Sequence, residues 1–337
     1  MKKELNHIAI VRLSALGDIV NTAVVLQFIH AKFPDIKIDW ITEEVFAPLL
    51  KNHPLIHHIH TVNLKQLKKE KSFKQLQHAI KGLRSLGEYD LIIDVQGLLK
   101  SAIVSRLIGK NTHGFDKHSS REPLSRFFYK TTSHIPYDAN IVLRNTFLVA
   151  DALGFAITPE MLDNKKPIFA VDSTLKLPKH KEEKKNIAFV IGASWKSKKY
   201  PKEHIIKVCK DLDANCFILW GDKNEKEEAE FIAQHVEHAI VAPKLTLSEL
   251  ISFISQMDLL IGNDTGPTHM AWGQNIPSIT LLGPTTSRMI YETSKNRGIK
   301  SPSHVDIFHI NKNDFSIKEI NPQEIIKQAK ELLHHGI

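Results

Sequence analysis

Leu259, Leu260 and Ile261 form a short apolar run with no polar alternation, set between Asp258 and Gly262. A strand of that kind is buried on both faces, so helices must cover it above and below, as in a parallel sheet. Gly262-Asn263-Asp264-Thr265-Gly266 then stops the strand with turn residues. These place Asp264 or Thr265 as the cap of a helix, and Pro267 falls near its first turn, where a missing N–H costs little. A strand feeding straight into a capped helix aims unpaired N–H groups and a positive dipole end above the sheet edge. That is a ready anion site, although the same residues also read as an ordinary strand-to-helix corner.

The same alternation recurs along the chain. In the first half, strands are expected at His7–Leu13, Ile36–Ile41, Ile56–Val62 and Asp90–Val95, with helices over about 19–32, 73–86, 98–108 and 139–153. In the second half the strands are Asn186–Ile191, Cys216–Trp220, the Leu259 run and Ser278–Leu282, with helices near 202–212, 225–235, 247–256 and 267–273. Strands and helices alternating at this spacing mean βαβ units in mostly parallel sheets. At 337 residues the chain exceeds what a single core supports, so two domains are expected. The division reads as an N-terminal domain over 1–160, a Pro- and Lys-rich linker over 161–185 and a second domain over 186–320. A closing helix within 321–337 could pack back on the first domain. The fold class is α/β, two facing Rossmann-like domains with a ligand cleft at the carboxyl ends of both sheets.

Charge is unevenly spread. Residues 1–150 carry 21 Lys+Arg against 13 Asp+Glu, whereas the rest of the chain is balanced. The excess lies within 51–130, at 15 against 6, and suggests an anionic partner for the N-terminal half. Interleaved aromatics or a binding module that would favour nucleic acid are missing there. No apolar run reaches the roughly 18 residues of a membrane span, and no signal-type segment opens the chain. Cys209 and Cys216 read as isolated buried thiols, which suits a reducing compartment, the cytoplasm by default.

Several groups are candidates for chemistry. Gly17-Asp18 follows the first strand without the glycine spacing of a dinucleotide fingerprint. Asp18 reads equally as a helix cap or as a general base aimed into the cleft. Asp94 closes the fourth strand as a second cleft carboxylate or, preferably, a loop-capping group. Arg121 lies in the basic region, where a guanidinium suits carboxylates and phosphates. Lys196, Lys198, Lys199 and Lys202 follow Gly192-Ala193-Ser194-Trp195, which is not a hydrolase elbow. They are either a solvated face or a means of neutralising a diphosphate. Glu225, beyond the Trp220-Gly221 strand end, is placed as an acidic partner for ribose hydroxyls. His269 stands by the anion site. His53, His57, His58 and His60 cluster, but lack the companion ligands of a metal site and are read as decorating a strand.

In this order, the motifs resemble the lipopolysaccharide heptosyltransferases, GT-B glycosyltransferases, over nearly the whole chain. The segments are Val11 to Asp18, Asp39 to Glu44, Asp94 to Ala102, Arg121 to Leu124, Lys198 to Pro201, Trp220 to Glu225 and Asp264 to His269. They are most like the members that add the first heptose. The resemblance implies transfer of L-glycero-D-manno-heptose from ADP-heptose to Kdo of Kdo-lipid A, with inversion and no required metal or other cofactor. It implies that Asp18 is the general base and that Lys198, Asp264, Thr265, Gly266 and His269 hold the donor diphosphate. Glu225 would hold the ribose. Arg121, Lys65, Arg144 and Gly17 would meet the acceptor, making 1–160 the acceptor domain and 186–320 the nucleotide-sugar domain. The enzyme would work peripherally at the cytoplasmic face of the inner membrane, with the basic region towards anionic lipids. Competing readings are a second-type enzyme adding heptose to heptose, and a non-catalytic nucleotide-sugar or nucleic-acid binding protein.

Overall fold

In a computed structural model describing residues 5–70, 72–307 and 309–334, the chain divides into two compact units, 1–170 and 171–337. The first unit's strands are β1 (His7–Val11), β2 (Lys37–Glu43), β3 (His58–Val62), β4 (Leu91–Asp94), β5 (Thr112–Phe115) and β6 (Thr131–Ser133). They form one parallel sheet in the order β3-β2-β1-β4-β5-β6. Ile8, Ala9, Ile10 and Val11 are all fully buried. Both faces of the central strand are therefore covered, which is why it carries no polar alternation.

The second unit repeats the plan with β7 (Lys185–Val190), β8 (Ala214–Leu219), β9 (Ala239–Val241), β10 (Leu259–Asn263), β11 (Ser278–Leu282) and β12 (Asn296–Lys300). Its order is β12-β11-β10-β7-β8-β9, again all parallel. Read from its first strand, each sheet has the doubly wound order 3-2-1-4-5-6. Chain direction across the sheet reverses between β1 and β4 in one unit, and between β7 and β10 in the other. Ligands of such sheets bind outside the carboxyl ends at that reversal.

The sequence expectations differ from the structure at the periphery. β5, β6, β9 and β12 were not expected: each is at or next to a sheet edge and weakly patterned. The helix expected over 19–32 is two, Leu16–Ala23 and Val25–Lys32. The stretch expected as a linker is divided between the two units. Its first part belongs to unit 1, where Ile168 and Phe169 are buried. There Lys166 exchanges two hydrogen bonds with Gln27, at 2.8 and 3.2 Å.

The closing helix, Pro322–His334, was expected as a possible return to the first domain. Instead Ile325, Ile326, Ala329 and Leu332 join the core of unit 2 beside Val208 and Cys209. Arg297 of β12 also pairs with Glu331 at 2.6 Å.

Candidate functional site

At the reversal point of unit 2, β10 ends in Gly262-Asn263 and its chain enters the helix Gly266–Gly273 with Pro267 in the first turn. Gly262 is required by close approach, since a Cβ there would stand 2.5 Å from Val190 Cβ. Asn263 is almost fully buried. Its amide donates to the carbonyls of Ile191 and Gly192, each at 3.1 Å, while its oxygen accepts from the Tyr200 N–H at 3.0 Å. One side chain thus pins the loop after β7 to the end of β10. Thr265 has the extended backbone of a cap residue. The Thr265 N–H donates to the Thr268 hydroxyl at 3.2 Å, and that hydroxyl bonds the Thr265 carbonyl at 2.6 Å.

Asp264 is buried at the mouth of this helix. Its two oxygens take Lys198 Nζ at 2.8 Å and His269 Nε2 at 3.2 Å. Burial works to raise its pKa, but Lys198 and His269 outweigh burial and hold the carboxyl well below the usual carboxylate range. The Asp264 carboxylate therefore does not itself suit a diphosphate, and serves to fix Lys198 and His269. Of Lys196, Lys198 and Lys199, Lys196 is exposed and Lys199 reaches Glu225 at 3.5 Å. Lys198 alone of the three is buried against the helix mouth, with its ammonium 4.9 Å from the Trp195 ring centre.

Glu225 is buried on the first turn of the helix Lys223–His235, behind the Asp222 cap. It accepts from the Gly221 N–H at 2.7 Å and lies against Gly192, where a Cβ would meet its carboxylate at 2.6 Å.

At the reversal point of unit 1, Asp18 sits in the first turn of the helix Leu16–Ala23, its side chain 26% exposed. It accepts from the Ala15 N–H at 3.2 Å and pairs with Arg12 at 2.8 Å. Arg12 is itself buried and donates to the Val95 carbonyl at 2.7 Å, which joins the ends of β1 and β4. Gly17 is buried beside Asp18. Gln96 completes the joint by accepting from the Leu13 N–H at 2.9 Å.

Asp94 is a buried loop cap. It accepts from Gln96 and Gly97 N–H groups at 2.8 and 3.2 Å and from the Tyr129 hydroxyl at 2.7 Å. Burial pushes its carboxyl pKa up and that of Tyr129 up strongly.

Arg121 is exposed on a loop tied to the same edge. Ser120 Oγ donates to the Gly97 carbonyl at 2.6 Å, and Glu122 accepts from the Leu99 N–H at 2.7 Å. Lys65 is exposed on the helix Leu64–Glu70, away from β1 and β4 in the chain.

Arg144 corrects an expectation. Expected to meet the acceptor, it is buried and donates to the carbonyls of Ile135 at 2.9 Å and Ser119 at 2.6 Å, and to Pro136. Its guanidinium lies 4.6 Å over the Phe115 ring, so it clamps the loop between β5 and the helix Ile141–Leu153.

Sequence reasoning missed Arg12 and Asn263. Each is a polar side chain at the end of a strand built on a continuous apolar run, a position that needs a buried partner, and that was the available signal.

A model of glycosyltransferase family 9 (heptosyltransferase) matches residues 77–305. Lipopolysaccharide heptosyltransferase 1 of Campylobacter coli is 40% identical, over 96% of this chain and 98% of its own. Its namesake in Escherichia coli K12 is 28% identical, over 90% and 96%. Among solved structures, E. coli heptosyltransferase WaaC with ADP superposes at a TM-score of 0.80 with 24% identity, covering 97% of this chain and 99% of that one. That superposition is a likeness of fold, and it joins the sequence matches on the same conclusion: the chain is a GT-B glycosyltransferase and belongs to family 9, the heptosyltransferases, on the heptosyltransferase I branch.

Proposed function

We propose that the protein transfers L-glycero-D-manno-heptose from ADP-heptose to Kdo of Kdo-lipid A, inverting the sugar carbon by direct displacement. The C. coli and E. coli relatives carry the name lipopolysaccharide heptosyltransferase 1. WaaC has been solved with ADP and with ADP-2-deoxy-2-fluoro heptose. The observation that carries the reading on this chain is the buried Lys198–Asp264–His269 cluster at a helix mouth on a reversal point.

There, the N-terminal end of the helix Gly266–Gly273, the Gly266 N–H foremost, meets the charge that grows on the diphosphate as ADP leaves, and preorganised donors act on developing charge without reorganising. Lys198, held by Asp264, adds a cation, and His269 sits on the same carboxylate. Glu225 retains acceptor capacity for ribose hydroxyls.

Asp18 is the general base that takes the proton from the acceptor hydroxyl as it attacks. Arg12 holds one carboxylate oxygen and the Ala15 N–H donates to the other, so the group keeps a fixed aim. Arg121 meets acidic groups of the acceptor, on the loop that Ser120 and Glu122 pin to the same sheet edge.

The acceptor is a lipid, and unit 1 offers a surface for one. Phe73 and Leu76 are 72% and 46% exposed on the helix Phe73–Arg84, among exposed Lys65, Lys68, Lys69 and Lys74. Apolar side chains in a basic field suit peripheral contact with an anionic bilayer, which for this substrate is the cytoplasmic face of the inner membrane. Among the described residues no helix is long and apolar enough to cross a membrane.

The test is mass-spectrometric detection of heptose on Kdo-lipid A incubated with ADP-heptose and the purified chain. Transfer only to the already heptosylated acceptor would move the protein to the second-type reaction, and transfer to neither would overturn the reading.

A further inference from the structure

The opposite end of the unit 1 sheet carries a cluster that the transfer reaction does not use. His7 opens β1, Asp39 lies early in β2, His57 leads into β3, which His58 opens, and Tyr89 comes just before β4. Asp39 is 2% exposed and sits at the centre. One of its oxygens, Oδ2, accepts from Tyr89 at 2.8 Å and lies 2.9 Å from His60 Nε2. The other, Oδ1, faces His57 Nδ1 at 3.1 Å, His7 Nε2 at 3.2 Å and His58 Nδ1 at 3.8 Å.

Hydrogen bonds alone satisfy this second set poorly. His57 Nδ1 lies 3.1 Å from the carboxylate and 2.7 Å from His58 Nδ1, yet one ring nitrogen carries at most one hydrogen. His7 Nε2 is sealed from solvent, and its approach to Asp39 lacks hydrogen-bond geometry. Imidazole nitrogens and one carboxylate oxygen thus converge on one point. The atoms from His7, Asp39 and His57 all lie within 4.8 Å of one another. Tetrahedral bonds of about 2.0–2.2 Å give ligand-to-ligand edges of about 3.3–3.6 Å, close to the 3.1 and 3.2 Å that separate Oδ1 from His57 Nδ1 and His7 Nε2.

We propose that His7, Asp39 and His57 form a site for a divalent transition ion of the zinc type, bound through two nitrogens and one oxygen. Tyr89 and His60 are its positioning residues: by occupying Oδ2 they turn Oδ1 to the ion, as outer partners of metal-bound carboxylates do. His58 is 61% exposed and provides the way in. Three protein ligands leave the fourth tetrahedral position to solvent beside His58. The ion ties the amino ends of β1, β2 and β3 together and takes no part in heptose transfer. Sequence reasoning dismissed these histidines because the carboxylate that gathers them, Asp39, lies on another strand and His7 on a third.

The untagged full-length chain, stripped with chelator, is titrated with Zn²⁺ by calorimetry and with Co²⁺ by visible absorption. One site per chain is expected, with the intense Co²⁺ bands of tetrahedral N/O ligation and a raised melting temperature on Zn²⁺ addition. His57→Gln with His58→Gln, on the exposed side, weakens binding at least tenfold, and so does His7→Gln. Tyr89→Phe weakens it by about tenfold or more. Wild-type chain that takes up no Zn²⁺, or folded variants that bind it as tightly as wild type, would overturn the proposal.

Discussion

Asp18, Asp264 and Arg144 show how far a residue's role depends on what holds it. Asp18 is partly exposed and backed by a buried guanidinium, the setting of a group that must keep one aim while meeting a substrate. A positioned base contributes about 10²–10⁴-fold in rate. Asp18→Ala is expected to lose that much kcat while binding ADP as wild type does. Near wild-type turnover would remove Asp18 from the chemistry.

Asp264, by contrast, is enclosed, and its pH response follows. Burial raises its pKa, but Lys198 and His269 depress it below the unfolded value. A depressed carboxyl stabilises the fold above the unfolded value and loses that contribution as pH falls through the folded one. Urea unfolding should therefore show wild type losing stability from about pH 4 downward, and Asp264→Asn losing less over the same window. Removing one partner of a buried pair costs about 3–5 kcal/mol, so Asp264→Ala should be destabilised by that order at neutral pH.

For Arg144 the expectation is reversed from that of a substrate contact. Arg144→Met strands buried carbonyls and should destabilise by about 1–3 kcal/mol. The folded fraction should keep its KM for the acceptor, and a raised KM with unchanged melting would restore Arg144 to acceptor binding.

At the level of elements, the site depends on joints between strand ends. Asn263 joins β7 to β10 through carbonyls that have no other pattern to follow, and Arg12 with Gln96 joins β1 to β4. Gly262→Ala should lower the melting temperature, because overpacking a tight contact typically costs about 1–3 kcal/mol. ADP affinity should fall with it, since the loop bearing Lys198 is fixed by the same contact between β7 and β10. Unchanged calorimetric ADP binding in that variant would separate the joint from the site.

The central strands were legible because burial on both faces leaves an apolar run that nothing else explains. β5, β6, β9 and β12 were not. Near an edge a strand needs only a few pairing residues, and Thr112–Phe115 or Asn296–Lys300 carries no hydrophobic period to betray it. The closing helix was legible as a helix but not in its partner, because an apolar stripe states that something covers it, not what.

Across the whole molecule, two sheets of identical strand order divide charge unequally, the excess lying in 51–130 of unit 1. Each well-placed basic residue contributes about 1 kcal/mol at an anionic surface. Charge reversal at Lys65, Lys68, Lys69 and Lys74 should therefore abolish sedimentation with phosphatidylglycerol vesicles and leave neutral vesicles unaffected. Equal binding of the reversed and native chains to anionic vesicles would refute the membrane reading.

The sequence by itself determined the α/β class, the two-part chain, the strand-to-helix turns at 17–18 and 264–266 and the family resemblance. All of these rest on local order along the chain: unbroken apolar runs, turn residues and caps. Only the tertiary structure decided that Asp264 holds Lys198 and His269, that Arg12 backs Asp18, that Arg144 is spent on carbonyls and that Asp39 gathers histidines from other strands. Those facts are pairings across tens of residues. A charged or polar side chain at a strand end must find a partner when buried, but composition and spacing do not say which one.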